Sequence, residues 1–119
     1  MEKYKKAIYH IRIQLGFPLI SVVLTDEQIT ESILIAKKEF EFNTLNLTKK
    51  QYKKALKIKK IWVRKYALAL CKEMLGRVRE KFSHVTIAGE RFKPNFKYLL
   101  HESEVEKHIL LEKYLPYNL

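Results

Sequence analysis

From residue 49 to residue 82 the chain runs without a proline and keeps helical spacing throughout. Tyr52, Ala55, Ile58 or Lys59, Trp62, Tyr66, Ala69, Cys71 or Lys72, Leu75, Val78 and Phe82 trace its apolar stripe. Thr48-Lys49-Lys50-Gln51 has the form of a capping box, with the Thr48 hydroxyl on a free backbone N–H and Gln51 reaching back. A helix of this span is roughly 50 Å long, more than a small domain is wide. A chain of 119 residues makes one domain of ordinary size. The rod therefore dominates the fold, and it is predicted to project beyond its own domain and meet another copy or another protein.

The remaining segments are shorter. Residues 2–15 read as a helix with Tyr4, Ile8, Ile11 and Leu15 on one face, stopped by Gly16 and Pro18. Residues 17–24 make a short apolar connection. A second capping box, Thr25-Asp26-Glu27-Gln28, opens a helix that buries Ile29, Ile33, Ala36 and Phe40 and fades near Asn43. After Ser83 the period changes: 84–87 alternates, 88–90 can turn and 91–93 continues, which predicts a small β-hairpin ended by Pro94 and Asn95. Ser103-Glu104-Val105-Glu106 matches a third capping box, with Val105, Ile109, Leu110 and Tyr114 behind it and Pro116 closing the helix. The expected fold is mainly α: a small helical bundle with one long central helix, a short β-hairpin and a C-terminal helix. It is one domain, 1–119, divided into N-terminal helices (1–47), the long helix (48–82), the hairpin region (83–99) and the C-terminal helix with its tail (100–119).

Charge narrows the function. Lysine and arginine number 24 against 13 acids, a net +11, which points to a polyanionic or acidic partner. The excess is concentrated: Lys49, Lys50, Lys53, Lys54, Lys57, Lys59, Lys60, Arg64 and Lys65 lie in one run, and no acid occurs between Glu41 and Glu73. Without carboxylates four residues away these cations repel, by roughly a few tenths of a kcal/mol per pair. Three readings stay open: DNA held through its phosphates, an acidic face on a partner protein, or a solvated lysine face with buried stems. Lysine predominates where a reader of base edges would use Arg, Asn and Gln, so any DNA contact is by charge rather than sequence.

Catalytic chemistry has little support. The chain has no glycine-rich phosphate loop, no nucleophile elbow and no paired carboxylates with a histidine partner. Its four histidines are scattered; His101, Glu102, Glu104 and His108 could be assembled into a metal site, but a solvated helix start fits them better. The lone Cys71 sits in an apolar stretch and reads as a buried small hydrophobe. No enzyme activity, metal or cofactor is expected. The N-terminus is too mixed for a secretory signal, and no run approaches the ~20 apolar residues that span a bilayer. A soluble protein, cytoplasmic when made, is expected.

The far half of the long helix differs from the basic half. Tyr66-Ala67-Leu68-Ala69-Leu70-Cys71 places small residues on several sides, and Gly76 costs ~1 kcal/mol relative to alanine. Small residues permit close approach, either within one core or at a subunit boundary. For the second reading the anchors are Trp62, Tyr66, Arg77 and Arg79.

Two stretches carry a resemblance. Leu15-Gly16-Phe17-Pro18 followed by Val23-Leu24-Thr25-Asp26-Glu27-Gln28-Ile29 resembles the "LG-aromatic-P … LTDEQ-I" opening of tailed-bacteriophage neck, or head–tail connector (adaptor), structural proteins. Residues 62–82, WVRKYALALCKEMLGRVREKF, are similar to the "W-x-R-x-YALALAKEMLGRIR-x-KF" segment of the same proteins. Longer relatives carry a β-rich insertion between the two main helices where this chain has only 43–47, so the resemblance implies a compact helical adaptor. It further implies a homo-oligomeric ring, usually of twelve subunits, that joins the portal to the next neck or tail protein and lines or extends the DNA channel. By that analogy the C-terminal segment grips the portal, with Leu110, Leu111, Tyr114, Leu115 and Tyr117 as its contacts. The virion neck is the implied location, with DNA in the channel as a further partner and no membrane. The alternative is a small basic DNA-binding protein with non-specific phosphate contacts.

Overall fold

A computed structural model describes residues 2–16, 24–81, 86–87, 90–91 and 96–112. After a 3-10 turn at Glu2–Tyr4 the helices are α1 (Lys5–Gln14), α2 (Asp26–Asn43), α3 (Lys49–Lys81) and α4 (Phe96–Glu112). Local signals set most of these bounds. At α2 the Thr25 N–H donates to Gln28 Oε1 (2.8 Å) and the Gln28 N–H donates to Thr25 Oγ1 (3.1 Å). Thr48 and Gln51 repeat the exchange at α3, at 3.0 and 3.2 Å. Each box satisfies N–H groups that the first helical turn leaves without partners. Gly16 follows α1 with φ 112°, a left-handed conformation that glycine adopts without a Cβ clash. Thr48→Ala is expected to cost about 1 kcal/mol. Urea unfolding would show this as a lower midpoint with unchanged slope; an unmoved midpoint would mean that the cap contributes nothing.

The third capping box does not cap. Helix α4 starts at Phe96, well before Ser103, and Ser103 is fully buried in mid-helix with its hydroxyl donating to the Leu100 carbonyl (2.9 Å). The reason is burial periodicity. Leu99, Ser103, Glu106 and Leu110 share one face, and the small Ser103 lets that face lie close to its neighbour.

The architecture corrects one expected component. Among the described residues it is built from helices, and the expected short β-hairpin at 84–93 is not supported as an element of the fold. Among the described residues extended pairing is confined to Thr86↔Arg91 and Ile87↔Glu90, two residues on each side. An isolated two-stranded pairing is at best marginally stable and adds no layer to the fold. The turn at 88–89, the connection 17–23, Phe82, Pro94 and the expected stop and tail from 113 lie outside the described residues.

Helix α3 is the spine. Antiparallel α2 and the short α1 cover one flank, and α4 covers another. Trp62 joins the layers and is 2% exposed. Its ring stacks on Tyr66 (centroids 5.0 Å apart, planes 7° from parallel) and meets Phe40 of α2 edge-on at 5.5 Å. Its indole N–H donates to the Leu110 carbonyl of α4 at 3.0 Å. Arg12 ties α1 to the start of α2 by donating to the Leu24 carbonyl (2.9 Å) and to Asp26 (2.6 Å).

The buried stripe of α3 starts later than its spacing predicts. Tyr52 is 42% exposed, and the first fully covered side chain is Ala55. Phe40, close to the end of α2, already lies against Trp62 and under Lys59. The turns of α3 before Ala55 therefore run past the end of α2, and no helix among the described residues lies beside them. This overhang stretches the molecule to 61 × 30 × 19 Å, with a radius of gyration of 16.4 Å. A compact chain of this length would have about 13.5 Å.

Candidate interaction surfaces

On a helix that turns about 100° per residue, Lys49, Lys50, Lys53, Lys54, Lys57, Lys60, Arg64 and Lys65 occupy a continuous arc of α3. Arg64 is half-buried and the others are exposed. Among the described residues none of them forms an ion pair. The basic run is thus one surface; at its far end Lys60 and Arg64 border α1 and α2, and Lys65 borders Glu106, Ile109 and Leu110 of α4.

A second cationic feature was not legible in the sequence. Helices α1, α2 and α3 enclose an open groove of about 520 Å³. Buried Ile33 and Val63 lie beneath it, with Tyr4, Ala7 and Leu56 beside them. Lys3, Lys6, Lys37, Lys59, Lys60 and Arg64 surround it, and no acidic side chain lines it. The Lys37 ammonium donates to the Tyr4 hydroxyl at 3.0 Å and lies 4.9 Å from that ring. The hydrogen bond from Lys37 holds the Tyr4 phenol below its ordinary range, partly opposed by desolvation. Lys3, Lys37 and Lys60 are far apart in sequence, so only the packing of three helices assembles this group.

The α3–α4 seam holds the opposite arrangement, in which charge is neutralised. Lys72 donates to Glu102 (2.7 Å) and Glu106 (2.6 Å), one turn apart on α4. In return Lys107 of α4 donates to Glu73 of α3 at 2.6 Å, and Glu73 also takes Arg77 at 3.3 Å. Burial works against the Lys72 charge, but its carboxylate partners outweigh it and raise the ammonium above its usual range. The hydrogen bond from Lys107 lowers Glu73, and the one from Lys72 lowers Glu102. Glu102 and Glu104 lie in mid-helix and not at a helix start: Glu102 faces Lys72, and Glu104, 68% exposed, lies 3.3 Å from Lys107. His108 pairs with Glu112 at 3.0 Å.

Several expected contact residues turn inward. Trp62 and Tyr66 are 2% and 7% exposed, so they serve the core of their own chain and not a subunit boundary. Stacking the two rings between α2 and α4 removes more apolar surface from water than a rim position would allow. Ala67, Ala69 and Gly76 are likewise buried within the chain. Arg77 is exposed and remains available beyond its bond to Glu73. The side chain of Arg79 lies outside the described residues. Of the C-terminal set, Leu110 is buried in the core and unavailable for docking, because its position faces Trp62. Leu111 is half-buried, and Tyr114, Leu115 and Tyr117 lie outside the described residues.

Cys71 is buried, and burial pushes its thiol up to about 11 against a weaker hydrogen bond with Ser32. It is a protonated core side chain at neutral pH. The outside of the molecule instead carries apolar side chains that periodicity did not single out: Phe42 and Leu45 are 72% and 71% exposed, and Ile61 is 61% exposed. No helix among the described residues is long and apolar enough to cross a membrane.

The fold is a helical spine braced by α2 and α4, with cationic and apolar side chains on its outside. The chain belongs to the bacteriophage T4 neck protein gp13 family, which matches residues 43–118, well over half of its length. It is accordingly a structural protein of the phage neck, located in the virion among other virion proteins. The match includes the resemblance at 62–82, while the one at 15–29 precedes it. No curated protein and no solved structure matches the chain.

Proposed function

We propose that this neck protein is the subunit of a head–tail adaptor ring that joins the portal to the next neck or tail protein and extends the DNA channel. The observation that carries this reading is the basic arc, unpaired among the described residues, on an overhanging helix in a member of a neck family. Repulsion along that arc is relieved when it faces an acidic protein surface or DNA phosphates. A ring of twelve copies would repeat the arc around the channel. Arg77 and Arg79 are the remaining subunit-boundary anchors of the expected set, and Leu111, Tyr114, Leu115 and Tyr117 the remaining portal contacts.

Mixing the purified chain with its portal protein tests this. Negative-stain images and mass measurement are expected to show closed rings seated on the portal. Persistent monomers that ignore the portal would overturn the proposal. The second reading, a free DNA-binding protein, is favoured by the same arc. It requires the isolated chain to bind duplex DNA, with a steep loss as salt rises and a shallower slope when Lys53, Lys57, Lys60 and Arg64 become Gln. A chain that ignores DNA at low salt eliminates it.

A further inference from the structure

We propose that the groove between α1, α2 and α3 of one copy receives the outward face of α2 from a second copy. This deepens the ring reading, and rests on it, by naming the surfaces that mate.

The groove specifies its occupant chemically. Its apolar floor of Ile33 and Val63 calls for apolar side chains. Its cations call for carboxylates beside them, since none has an acid partner among the described residues. A volume of about 520 Å³ admits a few side chains from a helical surface. A nucleic acid duplex would satisfy the cations and leave the apolar floor unfilled.

The chain itself carries the complementary element. Helix α2 buries Ile29, Ile33, Ala36 and Phe40, so its opposite side faces solvent. That side presents Glu27, Glu31 and Glu41 around the apolar Leu34, Ile35 and Phe42, with Lys38 the one cation in the stripe. Leu34, Ile35 and Phe42 are 36%, 41% and 72% exposed. Among the described residues the three glutamates form no ion pair, whereas Asp26, Glu73, Glu102, Glu104 and Glu106 each pair with a cation of their own chain. The α2 stripe is therefore an acidic, apolar-centred surface left open on an otherwise basic molecule.

The two surfaces do not coincide. The groove borders α2 at Ile33 and Lys37, while the stripe lies on the other side of the helix. Contact between them is heterologous, so each copy uses its stripe on one neighbour and its groove on the next. Repetition of such a contact closes a ring when the rotation per copy permits.

Charge reversal tests the pairing. One variant carries Glu31→Lys and Glu41→Lys on the stripe, and the other carries Lys6→Glu and Lys60→Glu at the groove. Circular dichroism first establishes that each keeps its helices. Each variant alone is expected to self-associate at least tenfold more weakly than the unchanged chain, by sedimentation velocity with and without portal protein. An equal mixture is expected to recover assembly, because every contact then pairs a basic groove with an acidic stripe, or the reverse. If rings form on the portal but both variants assemble unchanged, or the folded variants fail to recover when mixed, the groove assignment is overturned and the ring reading stands. If the groove variant loses only DNA binding, the groove is a nucleic-acid site and the assignment is likewise overturned. If even the unchanged chain forms no ring on the portal, the adaptor reading fails, and this inference with it.

Discussion

Replacing Trp62 with alanine is expected to lower the unfolding free energy by about 3–5 kcal/mol, the usual range for removing a fully buried large aromatic side chain. That is a large share of the roughly 5–15 kcal/mol that holds a domain folded. The effect combines separate losses at one position. The cavity left behind opens onto Phe40 of α2 and Tyr66 of α3, which lose their edge-on and stacked contacts at 5.5 and 5.0 Å. The Leu110 carbonyl of α4 loses its indole donor in a buried setting. Trp62→Phe separates the terms, since it keeps an aromatic ring and removes the N–H. It is expected to cost about 1–3 kcal/mol, the range for leaving a buried acceptor without its partner. Guanidinium unfolding followed by circular dichroism gives both values. A loss below about 1 kcal/mol for the alanine variant would show that Trp62 does not join the three helices.

Lys72→Ala is expected to be the next most damaging change, at about 2–3 kcal/mol. Removing one partner of a buried ion pair usually costs about 3–5 kcal/mol. The value is reduced here because Glu102 and Glu106 keep 29% and 32% of their side-chain surface in contact with solvent. The loss arises because two carboxylates one turn apart would face α3 with no cation between them. Replacing Lys72 with Met together with Glu102→Gln and Glu106→Gln is expected to restore most of the stability, since no charge is then left unpaired.

The same seam sets a pH dependence. Glu73 and Glu102 titrate below their ordinary value of 4.5 in the folded chain. Their contribution is complete above pH 4.5 and is lost as pH falls through the lowered values. Lys72 and Lys107 titrate above 10.5, so their contribution is complete below that pH and is lost as pH rises through the raised values. The unchanged chain should weaken under acid more steeply than Lys72→Ala, in which Glu102 has lost the hydrogen bond that lowers it. Parallel acid profiles would contradict the assignment.

These predictions concern residues whose roles were unequally legible. The start of α2 at Thr25, the start of α3 at Thr48 and the end of α1 at Gly16 could all be read directly, because each depends on atoms a few residues apart. Burial of Ile29, Ile33, Ala36 and Phe40 was equally clear, since a regular helix puts them on one face whatever lies opposite. The Ser103 box shows the limit of local reading. Its four residues satisfy the cap template, yet the burial pattern continues through them and the helix begins at Phe96. The hairpin pattern shows a related limit: alternation over a few residues is compatible with pairing, but an isolated pair of such short strands is marginally stable at best.

The sequence by itself determined the helical class, the length of the spine, the bounds of α2, the start of α3 and the basic run along it, because hydrogen bonding and periodicity within a helix are local. Only the tertiary structure decided which charges are neutralised and which side chains face inward. Lys72 meets Glu102 across 30 positions and Trp62 meets Leu110 across 48, while Lys3, Lys37 and Lys60 come together from three helices. Such contacts depend on how helices pack side by side, and spacing along the chain carries no record of that. Trp62 and Tyr66, which from composition suit a boundary between subunits, accordingly proved to be the centre of the core, and the open apolar surface fell to Leu34, Ile35 and Phe42.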